Sequence, residues 1–72
     1  MTDSLPLTVS VNGDPRSIAA GTSLETLVAT LTAASSGVAA ALNETVVPRS
    51  RWSAAALADG DRIEVLTAVQ GG

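Results

Sequence analysis

The order of hydrophobic patterns along these 72 residues predicts an α+β fold, with one main helix lying on one face of a four- to five-stranded sheet. Three observations carry that expectation. Apolar residues alternate with period two near both ends of the chain, an i, i+3, i+4, i+7 stripe lies between them, and turn residues separate the segments. The resulting order is ββαββ, or ββαβββ if a further short pairing forms, and it disfavours βαβα architectures.

Leu5, Leu7, Val9 and Val11 alternate with Pro6, Thr8 and Ser10, the pattern of a strand with one buried face. Asn12-Gly13 tolerates the positive φ angles of a tight turn, and Arg16-Ser17-Ile18-Ala19 offers a returning strand, with Pro15 placed to lengthen the connection. Thr22 followed by Glu25 reads as a capping box at a helix start. The stripe Leu24, Leu27, Val28 and Leu31 gives that helix a face to lay on a sheet, and Ser35-Ser36-Gly37 ends it.

Val38 to Leu42 follows the helix stop and reads as a strand, although its three alanines are poor strand formers. Asn43-Glu44-Thr45 matches a glycosylation pattern, but without a secretory signal it reads as a turn. Val46-Val47, bounded by Pro48, suits an edge strand or the start of a turn. Trp52 and Leu57 punctuate an Ala-rich, irregular connection, in which Trp52 fills the gap beside the Pro-bounded strand rather than stacking on a ligand. Asp59-Gly60-Asp61 has turn chemistry, and residues 62–67 alternate again with Ile63 and Val65 inward. Residues 1–67 are thus expected to form the domain and residues 68–72 a flexible tail.

Composition narrows the chemistry. A chain this short buries only about 60% of its unfolded surface and supports one core. That core must be aliphatic, because thirteen Ala, eight Leu, eight Val and two Ile make up most of the hydrophobic 46%. With no Cys and no His, a thiolate nucleophile, a disulfide, a catalytic triad and the usual metal ligands are excluded. No pair among the seven carboxylates is marked as an acid/base couple. Four Arg, no Lys and a net charge of −3 lack the basic footprint of nucleic-acid binding. Met1-Thr2-Asp3-Ser4 is acidic rather than cationic and no apolar run approaches the roughly 20 residues of a membrane span, so no membrane association and a cytoplasmic location are expected.

Several segments together resemble the ThiS family of thiamin-biosynthesis sulfur carriers. They are Val11-Asn12-Gly13, Val38-Ala39-Ala40-Ala41-Leu42-Asn43, Val46-Val47-Pro48-Arg49-Ser50, Trp52, Leu57-Ala58-Asp59-Gly60-Asp61-Arg62 and, above all, Thr67-Ala68-Val69-Gln70-Gly71-Gly72. The similarity runs over nearly the whole chain. It implies a ubiquitin-like β-grasp with a mixed sheet. It also implies that the protein is a co-substrate rather than an enzyme: the Gly72 carboxylate is adenylated by a ThiF-like adenylyltransferase using ATP, converted to a thiocarboxylate with sulfur from a donor protein, and presented to a ThiG-like thiazole synthase. The chain itself would bind no cofactor.

The residues agree with that implication. A free carboxylate is a poor electrophile and needs a leaving group, and no P-loop spacing for ATP is present, so the nucleotide site belongs to a partner. Gly71 and Gly72 lack Cβ atoms and can thread a narrow channel, with Gln70 and Val69 following them. The absence of Lys and Cys leaves no side chain to intercept the activated end, or reflects composition alone. Leu66 points away from Ile63 and Val65; it is a docking candidate, with Arg62 beside it, or an ordinary exposed leucine. Arg49, Arg51 and Arg62 steer a partner only if they form a patch, and otherwise are solvated surface. Three alternatives share the fold: a MoaD-like carrier for molybdopterin synthesis, a modifier conjugated to lysines, and a noncovalent binding module with inert terminal glycines.

Overall fold

The computed structural model describes residues 6–33 and 37–67. Leu5, Ser35, Ser36 and the tail residues 68–72 therefore lie outside the described residues. The elements follow the order β1 (Leu7–Val11), β2 (Asp14–Ile18), α1 (Leu24–Leu31), β3 (Val38–Leu42), β4 (Thr45–Val47), a 3₁₀ helix (Arg49–Ala54) and β5 (Arg62–Thr67). They make one five-stranded sheet ordered β2-β1-β5-β3-β4, in which β1 and β5 are parallel and the other neighbours antiparallel. Two hairpins flanking a parallel central pair, with a helix on one face, are the mixed sheet of the ubiquitin-like β-grasp.

Both hairpins are closed by two-residue turns. Asn12 and Gly13 take φ of 51° and 89°, and Val11 pairs directly with Asp14. Asn43 and Glu44 take φ of 52° and 72°, and Leu42 pairs with Thr45. Positive φ at both central positions matches the right-handed twist of the flanking strands, and asparagine tolerates it better than most residues. Pro15 does not lengthen the first connection, contrary to expectation. It pairs with Ser10 inside β2, an outer strand, where a missing N–H is tolerated.

The helix start also differs from the expected one. Ser23, not Thr22, is the N-cap: its Oγ accepts the Thr26 N–H at 3.1 Å, while Thr22 Oγ1 donates to the Ala19 carbonyl at 2.6 Å. The Leu24 N–H is satisfied by the Ala55 carbonyl at 2.8 Å, and the Leu57 N–H donates to the Thr22 carbonyl at 3.0 Å. These two bonds tie the helix entrance to the segment before β5 and select Ser23 as the cap. Glu25 then sits in the first turn, where its charge favours the helix dipole. The helix ends at Leu31, before the expected Ser35-Ser36-Gly37 stop, with Thr32 already extended.

One face of the sheet receives the helix. Leu24, Leu27 and Val28 are buried with Val9, Val11, Ala40, Ile63 and Val65, and Leu31 packs against them half-buried. The connection after Pro48 is more regular than expected. Its 3₁₀ helix delivers Trp52 into the core at 3% exposure, and the Trp52 Nε1–H donates to the Val47 carbonyl at 2.8 Å. The indole thereby fills the space under β4 that the alanines leave, as expected of an anchor. No helix among the described residues is long and apolar enough to cross a membrane.

Candidate functional site

Period two leaves a second sheet face that the helix does not touch. Ala39 and Ala41 of β3, Val46 of β4, and Glu64 and Leu66 of β5 lie on it, opposite the core-facing Ala40, Val47, Ile63 and Val65. Register sets the neighbours: Ala41 stands between Val46 and Glu64, and Ala39 stands beside Leu66. Val46 is 72% and Leu66 71% exposed, the large hydrophobic side chains left most open among the described residues. The alanine methyls between them are short. A shallow groove of about 270 Å³ therefore runs over Ala39 and Ala41, walled by Val46 and Leu66 and edged by Glu44 and Glu64. On the β2-β1 half, the same parity brings Thr8, Ser10, Pro15 and Ser17 to this face, so its large exposed hydrophobic side chains lie on β5 and β4.

Arg62 begins β5 on the same face as Leu66. Its Nη2 meets Glu44 Oε2 at 3.1 Å with both side chains mostly exposed, a geometry that adds about 0–1 kcal/mol to stability. The pair neutralises Glu44 and leaves Glu64 as the excess charge at the groove. The three arginines do not form one patch. Arg49 lies over the Trp52 ring, 5.0 Å from its centroid, beside the helix, and Arg51 is in the 3₁₀ helix. Among the described residues no group of three or more His, Cys, Asp or Glu side chains is placed to hold a metal ion.

β5 also leads to the five residues of the expected tail, and two asparagines hold it. Asn43 donates its backbone N–H to the Arg62 carbonyl at 2.7 Å and accepts the Arg62 N–H on Oδ1 at 2.9 Å. Asn43 Nδ2 reaches Asp61 Oδ1 at 3.0 Å. Asn12 accepts the Val65 N–H on Oδ1 at 2.9 Å and donates Nδ2–H to the Val65 carbonyl at 3.2 Å. Each asparagine therefore serves both as a turn residue and as a latch on β5.

Leu66 and Arg62 thus share one face, as their positions in the chain imply. Val69, Gln70, Gly71 and Gly72 lie outside the described residues. Sequence reasoning missed Val46, Ala39, Ala41 and Glu64 as members of the same surface. A two-residue turn at Asn43-Glu44 would have found them, because it fixes the register that sets Val46 against Ala41. It missed the second role of both asparagines altogether, since a turn dipeptide carries no mark of what its side chain bonds across the sheet.

Comparison with known proteins gives this architecture a family. The ThiS family model matches residues 9–72. The chain is similar to a thiamine biosynthesis protein, ThiS, from Geobacter metallireducens, whose crystal structure superposes with a TM-score of 0.75 at 30% identity, covering 92% of this chain and all of that one. It is also 39% identical over 64 residues to a thiazole synthase from Magnetococcus marinus, covering 89% of this chain. The chain spans about a fifth of the length of that relative, 20% of it being matched. With a family match over nearly all of the sequence and a solved neighbour of the same fold, the chain belongs to the ThiS family.

Proposed function

We propose that this protein is a sulfur carrier for the thiazole branch of thiamin biosynthesis, loaded on the carboxylate of Gly72. The observation that carries the reading is the reach of the family match through Gly71-Gly72, which follow β5 after three intervening residues. A ThiF-like adenylyltransferase transfers AMP from ATP to the Gly72 carboxylate and releases pyrophosphate. Hydrosulfide released by a donor protein then attacks the acyl carbon, AMP leaves, the S–H proton is lost to solvent, and the thiocarboxylate formed carries sulfur to a ThiG-like thiazole synthase. Five residues, 68–72, follow Thr67, and at about 3.3–3.6 Å each their span is at most about 18 Å. Gln70 and Val69 enter behind the two glycines.

The open face supplies the docking surface for the adenylyltransferase. Val46 and Leu66 grip a bulky apolar side chain over the Ala39 and Ala41 floor, and Glu64 favours a cationic group beside it. Arg62, held by Glu44, borders the same contact. Intact-mass measurement after incubation with a ThiF-like enzyme, ATP and a sulfur source tests the reading. The full chain gains the mass of sulfur in place of oxygen, and a chain lacking Gly72 stays unmodified while retaining its melting temperature. Thiolation of the shortened chain, or none in the full one, refutes it.

A further inference from the structure

We infer that Asn12 is a positioning residue for the tail, its side-chain amide standing in for a peptide group that holds the last strand at Val65. The inference rests on the carrier reading above and concerns how the tail is presented.

The parallel ladder between β1 and β5 contains only two pairs, Ser10 with Arg62 and Val11 with Ile63. Its bonds run from the Ser10 N–H to the Asp61 carbonyl at 3.0 Å and from the Asn12 N–H to the Ile63 carbonyl at 2.9 Å. If β1 continued straight, its next groups would be an acceptor for the Val65 N–H, then a donor for the Val65 carbonyl. Instead the backbone turns away at Asn12, where φ is 51°. The Asn12 side chain supplies both missing groups, Oδ1 to the Val65 N–H at 2.9 Å and Nδ2–H to the Val65 carbonyl at 3.2 Å.

Val65 is consequently hydrogen-bonded to Asn12 on one side, and on the other it stands opposite Ala40 in β3. Beyond it, Leu66 and Thr67 pair with Ala39 and Val38 of β3 alone among the described residues. Val65 is therefore the last residue of β5 flanked on both sides among the described residues. Without the amide that point recedes to Ile63, two residues or about 6.6 Å earlier along the strand. The tail of an otherwise folded domain then starts from a wider range of positions and directions, and fewer docked complexes place Gly72 for attack on ATP.

Asn12→Gly tests this without straining the turn, because glycine accepts positive φ freely. Asn43→Gly is the matched control: it removes the same side chain at the other hairpin tip, where the latch holds Arg62, the far end of β5 from the tail. With docking left to the open face, Asn12→Gly is expected to lower kcat for adenylation about tenfold, the worth of two ordinary hydrogen bonds, with KM unchanged. It also speeds hydrogen exchange at Leu66 and Thr67. Asn43→Gly leaves kcat and those two amides at wild-type values. Asn12→Asp keeps the acceptor for the Val65 N–H but sets a carboxylate oxygen against the Val65 carbonyl, so it does not restore kcat to the wild-type value.

Wild-type adenylation with an unchanged kcat in Asn12→Gly overturns the positioning role alone, as does an equal kcat loss in Asn43→Gly. A wild-type chain that is not adenylated overturns the carrier reading and this role together.

Discussion

Truncating Leu66 to alanine separates docking from folding. The side chain is 71% exposed, so the domain uses little of it and a partner has most of it to bury. The change deletes three carbons, about 2.4 kcal/mol at roughly 0.8 kcal/mol per buried methylene. Scaled by the 71% still open to solvent, the loss is about 1.7 kcal/mol, or roughly 15- to 20-fold in Kd. Folding stability should move by the remaining share, about 0.7 kcal/mol, which shifts Tm by about 3–6 °C in a domain of this size. Calorimetric titration of a ThiF-like adenylyltransferase, paired with thermal melts, reads both quantities. Val46→Ala, at 72% exposure, should cost about 1.2 kcal/mol by the same reasoning. If both side chains grip one partner group, the double variant departs from additivity by about 0.5 kcal/mol or more. A Kd within twofold of wild type in both single variants, with Tm intact, would refute the docking assignment.

Trp52→Phe removes the Nε1 donor to Val47 and part of a side chain that is 3% exposed. It should cost about 1–3 kcal/mol, read as a lower urea midpoint at constant m; an unmoved midpoint would show that the indole is no anchor. Ser23→Ala should cost about 1 kcal/mol and lower Tm by about 4–8 °C, more than Thr22→Ala, whose hydroxyl bonds the Ala19 carbonyl instead of the helix. The reverse ranking would reinstate Thr22 as the cap. Glu64→Lys reverses the charge at the groove and should slow association with the adenylyltransferase at low salt, with the difference fading as salt rises. A salt-independent rate would remove electrostatics from that contact.

The alternation of Val9 with Val11 and of Ile63 with Val65, and the stripe through Leu24, Leu27 and Val28, were legible because burial imposes a period that no other constraint disturbs. The exposed Leu66 followed from the same period. Local choices decided by distant partners were not legible. Thr22-x-x-Glu25 satisfies the capping-box pattern as a string, but the bonds from Leu24 to Ala55 and from Leu57 to Thr22 place the helix entrance one residue later. Pro15 reads as an interruption until β2 is known to lie at the sheet edge. Of the groove, sequence showed one wall, Leu66, and the same period implies Glu64; Val46, Ala39 and Ala41 depend on strand register, which three alanines in β3 specify weakly.

Those alanines raise the question of why a central strand should carry residues with poor strand propensity. Ala40 faces the core at 2% exposure, opposite a helix and a 3₁₀ segment whose Trp52 supplies the bulk that Ala40 lacks. Ala39 and Ala41 face outward, where β-branched residues would improve the strand by up to about 1 kcal/mol on the host-protein scale. They would also fill the groove between Val46 and Leu66. Retaining the alanines therefore sacrifices strand stability for a concavity, and the loss is offset because β3 is paired on both sides, with β5 and β4. A smooth, self-satisfied sheet would need neither alanine there nor two large hydrophobic walls in water. The proposed docking of a partner's side chain would complete that packing, and the strand beneath it is the one whose neighbour, β5, carries the chain on to Gly72.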